Sequence, residues 1–255
     1  YNEAAYCHLA NGGAAGEGFD IDIGCRNILF RYNYSHDNDG GGILLCNTGG
    51  QVTLCDEDGN VRKDENGKVV IEKGRAEWSD VFIKNNVFAR NGKKKGNFPA
   101  LMHVAGSCEN VYFENNTVIF TDNVSQPLMT VTKWDSEYDS SSPNKFYFKN
   151  NVFLSPVPNE SYLRYTYMGE DYLFLSNVYY NMSESFAEVA SDTKAFSFDP
   201  LIGIPDDAKG YEKIYDYVPG ERKCSEGALL LKGRNLYDAA GNKVTGRRYF
   251  GAIVA

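Results

Sequence analysis

Short apolar runs alternate with polar corners along this chain, and one run keeps returning. It reads Ile28-Leu29-Phe30-Arg31-Tyr32-Asn33, then Val81-Phe82-Ile83-Lys84-Asn85-Asn86, then Val111-Tyr112-Phe113-Glu114-Asn115-Asn116. Phe146-Tyr147-Phe148-Lys149-Asn150-Asn151 and Tyr172-Leu173-Phe174-Leu175-Ser176-Asn177 follow the same plan. Successive closing residues Asn86, Asn116, Asn151 and Asn177 lie 30, 35 and 26 residues apart. Units of that size cannot bury an apolar face alone and predict a solenoid in which each packs on its neighbours. The runs are rich in Val, Ile, Phe and Tyr and bounded by Asn, Gly, Ser and Asp, which predicts strands instead of helices. Asparagine tolerates the left-handed backbone of a tight corner, and its amide can bond the Asn of the next coil. Stacked strands with Asn at one corner predict an all-β fold, a parallel β-helix with Asn-ladder corners.

A second strand set precedes the first: Phe19–Ile23, Ile43–Cys46, Leu101–Ala105, Leu128–Thr132 and Tyr162–Thr166. Each coil thus reads as a first strand, a corner, a second strand ending in Asn, and a loop of variable length. Over about residues 19 to 181 the pattern resembles the right-handed parallel β-helix superfamily, which holds pectate lyases, polygalacturonases and phage tailspikes. Uncharacterised bacterial β-helix repeat proteins are similar in carrying Asp-Ile-Asp followed by Tyr-Asn-Tyr-Ser-His-Asp-Asn. We therefore expect coils over residues 1–181, with a hairpin-like insertion at 48–80. Residues 182–255 are expected to form an irregular C-terminal cap. Within that cap, Phe198-Asp199-Pro200-Leu201 and Asp238-Ala239-Ala240-Gly241-Asn242 resemble the segments that close many bacterial β-helices.

The insertion holds Asp56-Glu57-Asp58-Gly59-Asn60 and Asp64-Glu65-Asn66-Gly67-Lys68, two hairpin-turn signals. Read as a calcium loop it fails, because the sixth position is Val61, where glycine is required, and the twelfth is Gly67 instead of Glu. Cysteines 7, 25, 46, 55, 108 and 224 show no CxxC spacing, so zinc is not expected. Cys25 and Cys108 each stand two residues before an Asn that opens a strand (Asn27, Asn110), as corner-packing thiols would.

The 26 Lys and Arg against 34 Asp and Glu leave a net charge of −8, so no nucleic-acid footprint is expected. No apolar run approaches the ~20 residues of a membrane span. Opening at Tyr1 without an initiator Met or signal peptide, the chain reads as processed or cut from something longer. The fold resemblance implies a secreted, periplasmic or cell-surface location.

Alternate residues of each strand face outward and form a stripe with one position per ~4.8 Å layer. Aligned on the Asn motif, Asp20, His103 and Arg164 share one outward position, with Asp22 two residues along and Lys133 ending the fourth first-strand. Asp is depleted from strands, so Asp20 and Asp22 in an apolar run point to chemistry. The segment Tyr34-Ser35-His36-Asp37-Asn38-Asp39-Gly40-Gly41-Gly42 is expected to enter the same face, its glycines letting backbone approach a ligand. Four carboxylates (Asp20, Asp22, Asp37, Asp39) with His36 and His103 would then converge. Paired carboxylates are the machinery of glycoside hydrolysis, one protonated as acid and the other acting as base or nucleophile. The resemblance implies the same, since polygalacturonases set carboxylates on neighbouring coils beside a histidine. This chain departs from them in having Asp20 for their usual first-motif Asn and in lacking their Arg-Ile-Lys motif. Trp78 and Trp134 are candidate sugar-stacking platforms, and Lys94, within Lys93-Lys94-Lys95, a candidate contact to an anionic polymer.

These residues predict a glycoside hydrolase that acts on a polysaccharide or oligosaccharide without a cofactor. An alternative is a polysaccharide lyase with a Lys or Arg base, in which Asp20, Asp22, Asp37 and Asp39 ligate Ca2+. A third reading, a non-catalytic carbohydrate-binding or adhesin solenoid, needs the stripe but no acid.

Overall fold

The computed structural model describes residues 1–9, 16–48, 50–74, 78–94, 100–132, 144–159, 172–183, 192–204 and 209–217. Among them the chain is all-β apart from one 3-10 turn at Tyr211–Asp216. Three sheets of parallel strands stack as a β-helix solenoid requires. Sheet B takes the predicted first strands, β2 (Phe19–Ile21), β5 (Ile43–Asn47), β10 (Met102–Gly106) and β13 (Met129–Thr132). Sheet C takes the second, β3 (Arg26–Arg31), β8 (Ser79–Lys84), β11 (Glu109–Glu114), β14 (Asn144–Lys149) and β16 (Tyr172–Leu175). The variable loop expected after each Asn begins instead as a third strand. These strands, β1 (Glu3–Ala5), β4 (Tyr34–His36), β9 (Val87–Ala89), β12 (Thr117–Ile119), β15 (Val152–Asn159) and β17 (Val178–Met182), form sheet A.

The corner between sheets C and A divides the two tasks expected of one asparagine. The first residue of each pair, Tyr32, Asn85, Asn115, Asn150 or Ser176, holds the left-handed backbone at φ between 54° and 59°. The second stacks. Asn33 donates its backbone and side-chain N–H to Asn86 Oδ1 (2.9 and 3.1 Å), and Asn86 donates likewise to Asn116 (2.9 and 3.0 Å). The file continues through Asn151 and Asn177 and ends on Asp192. A carboxylate suits that end, because every neighbour there is a donor: Ser176 and Lys194 N–H, both donors of Asn177, and the Tyr179 hydroxyl.

The core is built from inward strand positions such as Ile43, Leu45, Val81, Val111, Phe146 and Phe153, all fully buried, and Phe148 and Phe174 stack in it at 4.6 Å. Cys108 is buried there and Cys25 packs against it, each leading to an Asn at φ 55°. Cys7, Cys25, Cys46, Cys55 and Cys108 are free thiols. The insertion forms an antiparallel ribbon from β6 (Gly50–Thr53) and β7 (Ile71–Gly74). Its turns close on Asp56 and Asp64, whose Oδ1 atoms each accept two backbone N–H bonds.

Sheet A is buried on both faces. Phe88, Val118, Phe153 and Tyr179 point into the core, while Tyr34, Val87, Ile119, Val152 and Val178 point outward. Over them lie Ile202, Ile214 and Tyr217, as the described part of the C-terminal segment returns from the last coil toward the first. The Tyr217 and Tyr34 hydroxyls meet at 2.8 Å, and Tyr211 donates to the Tyr32 carbonyl at 2.7 Å.

Candidate functional site

Sheet B sets Asp20, Leu44, His103 and Thr130 in one row across its four strands, outward because their neighbours Phe19, Ile21, Leu45, Val104 and Val131 belong to the core. Cys46, Ala105 and Thr132 form the next outward row. Asp22 stands just past the end of β2, close enough for its charge to act on Asp20 and on the Cys46 thiol. The expected pairing of Asp20 with His103 on one stripe is therefore present. Arg164, Lys133 and Trp134 lie outside the described residues.

Glu17 joins this face without any signal in the sequence pattern. Its Oε1 bonds His103 Nδ1 at 3.1 Å, and His103 Nε2 bonds the Thr132 hydroxyl at 3.0 Å, so the ring is fixed from both sides. Both the Glu17 and His103 side chains are nearly buried. Glu17 stands three residues before Asp20, but only the tertiary packing reveals that it reaches a strand from the third coil. The glycine triplet makes that packing close. A Cβ at Gly40 would sit 2.7 Å from the Gly16 carbonyl carbon, and one at Gly41 would sit 2.8 Å from the Ala100 oxygen. These glycines accommodate the chain's own backbone; the ligand approach expected of them is taken up by protein.

Charge on this face is uneven. Partial burial, then the charges of Asp22 and Glu17, raise the Asp20 carboxyl from the ordinary range to about 6. Burial also works to raise Glu17, but the hydrogen bond from His103 and backbone N–H groups outweigh it and hold its carboxyl below the usual value. The Cys46 thiol is pushed up by burial and then by the Asp22 charge. Of these two neighbours, Asp20 is thus inclined to hold a proton and Glu17 to stay charged. The Thr130 hydroxyl, beside His103, is buried with no hydrogen-bond partner among the described residues.

His36 and Asp37 lie elsewhere. Tyr34–His36 is a strand of sheet A and not a loop entering sheet B, so the convergence expected of six residues does not form. The fully buried His36 ring is held between Asp37 Oδ2 (2.7 Å) and Glu3 Oε1 (2.9 Å). Arg90 clamps Asp37 through Nε (3.0 Å) and Nη2 (2.9 Å), and Lys93 closes on its Oδ1. Burial of Asp37 is outweighed by hydrogen bonds from His36, Arg90 and Lys93, which hold its carboxyl well below the usual range. Arg90 is correspondingly raised: burial opposes this, but the Asp37 hydrogen bond prevails. Asp39 accepts the Leu9 N–H at 3.0 Å and faces His8 at 3.4 Å. Lys94 is exposed, and its backbone N–H bonds the Asp39 carbonyl.

Trp78, expected as a sugar platform, is instead 4% exposed in the core, with its indole N–H on the Glu109 carbonyl at 3.0 Å. The four aspartates expected as calcium ligands do not form one donor set. Asp37 is consumed by three cationic or N–H partners on sheet A, and Asp39 by the first coil, away from Asp20 and Asp22. Among the described residues no three His, Cys, Asp or Glu side chains group as metal ligands. A cleft of about 700 Å3 opens beside Arg90 and Lys93, lined by Ile119, Phe120, Asp122 and Pro156. No helix among the described residues is long and apolar enough to cross a membrane. The sequence matches no protein-family model and no curated protein.

Proposed function

We propose that this chain is a secreted or surface-exposed right-handed parallel β-helix that cleaves a carbohydrate polymer by glycoside hydrolysis on the outer face of sheet B. The observation that carries the reading is Asp20, a strand carboxyl raised to about 6 between Asp22 and Glu17. Protonated at mildly acidic pH, Asp20 gives its proton to the glycosidic oxygen as the bond to the anomeric carbon breaks. Asp22 takes a proton from the water that attacks that carbon. Carboxyls ~6.5–9.5 Å apart invert at the anomeric carbon and carboxyls ~5 Å apart retain, so the stereochemistry of the product reports the separation of this pair during turnover. Glu17 and Thr132 hold His103, and the Glu17 charge helps keep Asp20 protonated.

The lyase reading is weaker, since Arg90 and Lys93 are tied to Asp37 and the aspartates fall into separate networks. A polysaccharide screen read by reducing-end release and by ultraviolet absorbance separates the readings. Reducing ends without an unsaturated product, lost in Asp20→Asn, support hydrolysis. An unsaturated product, or turnover that survives Asp20→Asn, contradicts it. Binding without turnover leaves the adhesin reading.

A further inference from the structure

The outer face of sheet C holds none of the candidate site, yet an apolar file crosses it from strand to strand. Leu29, Phe82, Tyr112, Tyr147 and Leu173 cross its five strands in register. Leu29 and Leu173 are 52% and 47% exposed. Phe82 stacks on Tyr112 at 4.8 Å and Tyr112 on Tyr147 at 4.9 Å, nearly parallel. Rings stacked along the file cover one another's faces and turn their edges outward, so they offer a sugar no stacking surface. A contiguous apolar file rimmed by charge is instead an association surface.

We propose that this face pairs with the same face of a second copy, about a two-fold axis that runs along the strands between β11 and β14. Register fixes the choice. On one side of the apolar file lie Arg31, Lys84, Glu114 and Lys149, with Glu114 also held by Lys84 of its own chain at 2.9 Å; on the other lie Asp80 and Lys145, the latter 3.6 Å from Glu109 of its own chain. An axis between β11 and β14 sets Glu114 against Lys149 twice and Tyr112 against Tyr147, with Phe82 over Leu173. The neighbouring choices fail on charge. Centring on β11 puts Glu114 against itself and Lys84 against Lys149, and centring between β8 and β11 offsets its Lys84–Glu114 contacts by putting Arg31 against Lys149. A two-fold along the solenoid sets Lys149 over Lys145 and takes Glu114 away from any cation of the partner. Four overlapping strands give a footprint of roughly 19 Å by 20 Å per copy before side-chain relief is counted. That is small for a specific interface, so the dimer is reversible and forms at high concentration.

Sedimentation velocity over a concentration series of the whole chain tests this, with Lys149→Glu, Glu114→Lys and their equimolar mixture beside the natural sequence. The expected result is a mass rising from 28.5 kDa toward twice that value. Each single variant, left with only like charges where positions 114 and 149 meet, weakens association at least about tenfold. The mixture restores it, because one variant is acidic at both positions and the other basic at both. A natural chain that stays monomeric, a Lys149→Glu variant that dimerises normally, or a mixture that fails to recover overturns the proposal. Unchanged circular dichroism of both variants shows that each is folded.

Discussion

The outer faces of sheets A and B carry the same kinds of side chain wired in opposite ways. On sheet A, Asp37 meets a histidine, a bidentate arginine and a lysine, and the C-terminal segment lies over the same face. Its carboxylate is fully compensated and its charge is fixed. On sheet B, Asp20 faces two other carboxylates, and the nearby histidine is already held by Glu17 and Thr132. Its charge is opposed, so its proton is easily held and easily given. A buried ion network that satisfies every partner holds one charge state, whereas an undercompensated carboxyl on an open face is suited to proton transfer.

The sharpest way to break this comparison is to remove each aspartate and read turnover and stability together. Asp20→Asn should reduce turnover by about 10²–10⁴-fold, as loss of a positioned acid does. Its stability at neutral pH should rise by no more than about 1 kcal/mol, since water screens an exposed face. Asp37→Asn should do the reverse, costing about 3–5 kcal/mol in denaturant melts because Arg90 and Lys93 lose their counter-charge. Next in size, Asn116→Ala should cost about 1–3 kcal/mol by leaving the buried Asn86 backbone N–H without its acceptor and removing the amide's bond to the Ile83 carbonyl. A melt unchanged by Asn116→Ala would remove the amide file from what holds the coils in register.

Acid titration divides the faces by sign. The folded value of Asp37 is depressed, so its contribution is present at neutral pH and is lost as pH falls below the ordinary carboxylate range near 4. Asp20 is raised, so its protonation favours the folded state increasingly as pH falls through about 6. Asp37→Asn should therefore be the less stable chain at neutrality and begin to converge with the natural one only below about pH 4. The smallest effect expected is in Glu17→Gln. Removing one neighbouring charge should lower the alkaline limb of the pH–rate profile by less than about one pH unit.

Sheets B and C were legible in the sequence because their strands are apolar runs rich in β-branched and aromatic residues, and those of sheet C each close on the recurring corner pair. Sheet A was not, since its strands include mixed segments such as Tyr34-Ser35-His36 that read as loop. Its strands are also only three residues long at Tyr34–His36, Val87–Ala89 and Thr117–Ile119. That omission explains the misplaced His36 and Asp37, which read as a loop over the candidate face and are instead a strand and its corner. Asp20 and His103 were found because strand register can be counted from the Asn motif. Glu17 was not, because its partner is 86 residues away in sequence and no local pattern announces it. Trp78 read as a platform because composition says nothing of the direction in which a corner residue points.

The most direct measurement is a carbon-13 titration of the Asp20 side-chain carboxyl, assigned by its disappearance in Asp20→Asn. A midpoint near 6 that falls when Glu17 becomes Gln is the expected result. A midpoint near the ordinary ~4, unmoved by that substitution, would make Asp20 an ordinary surface carboxylate and contradict its role as the acid.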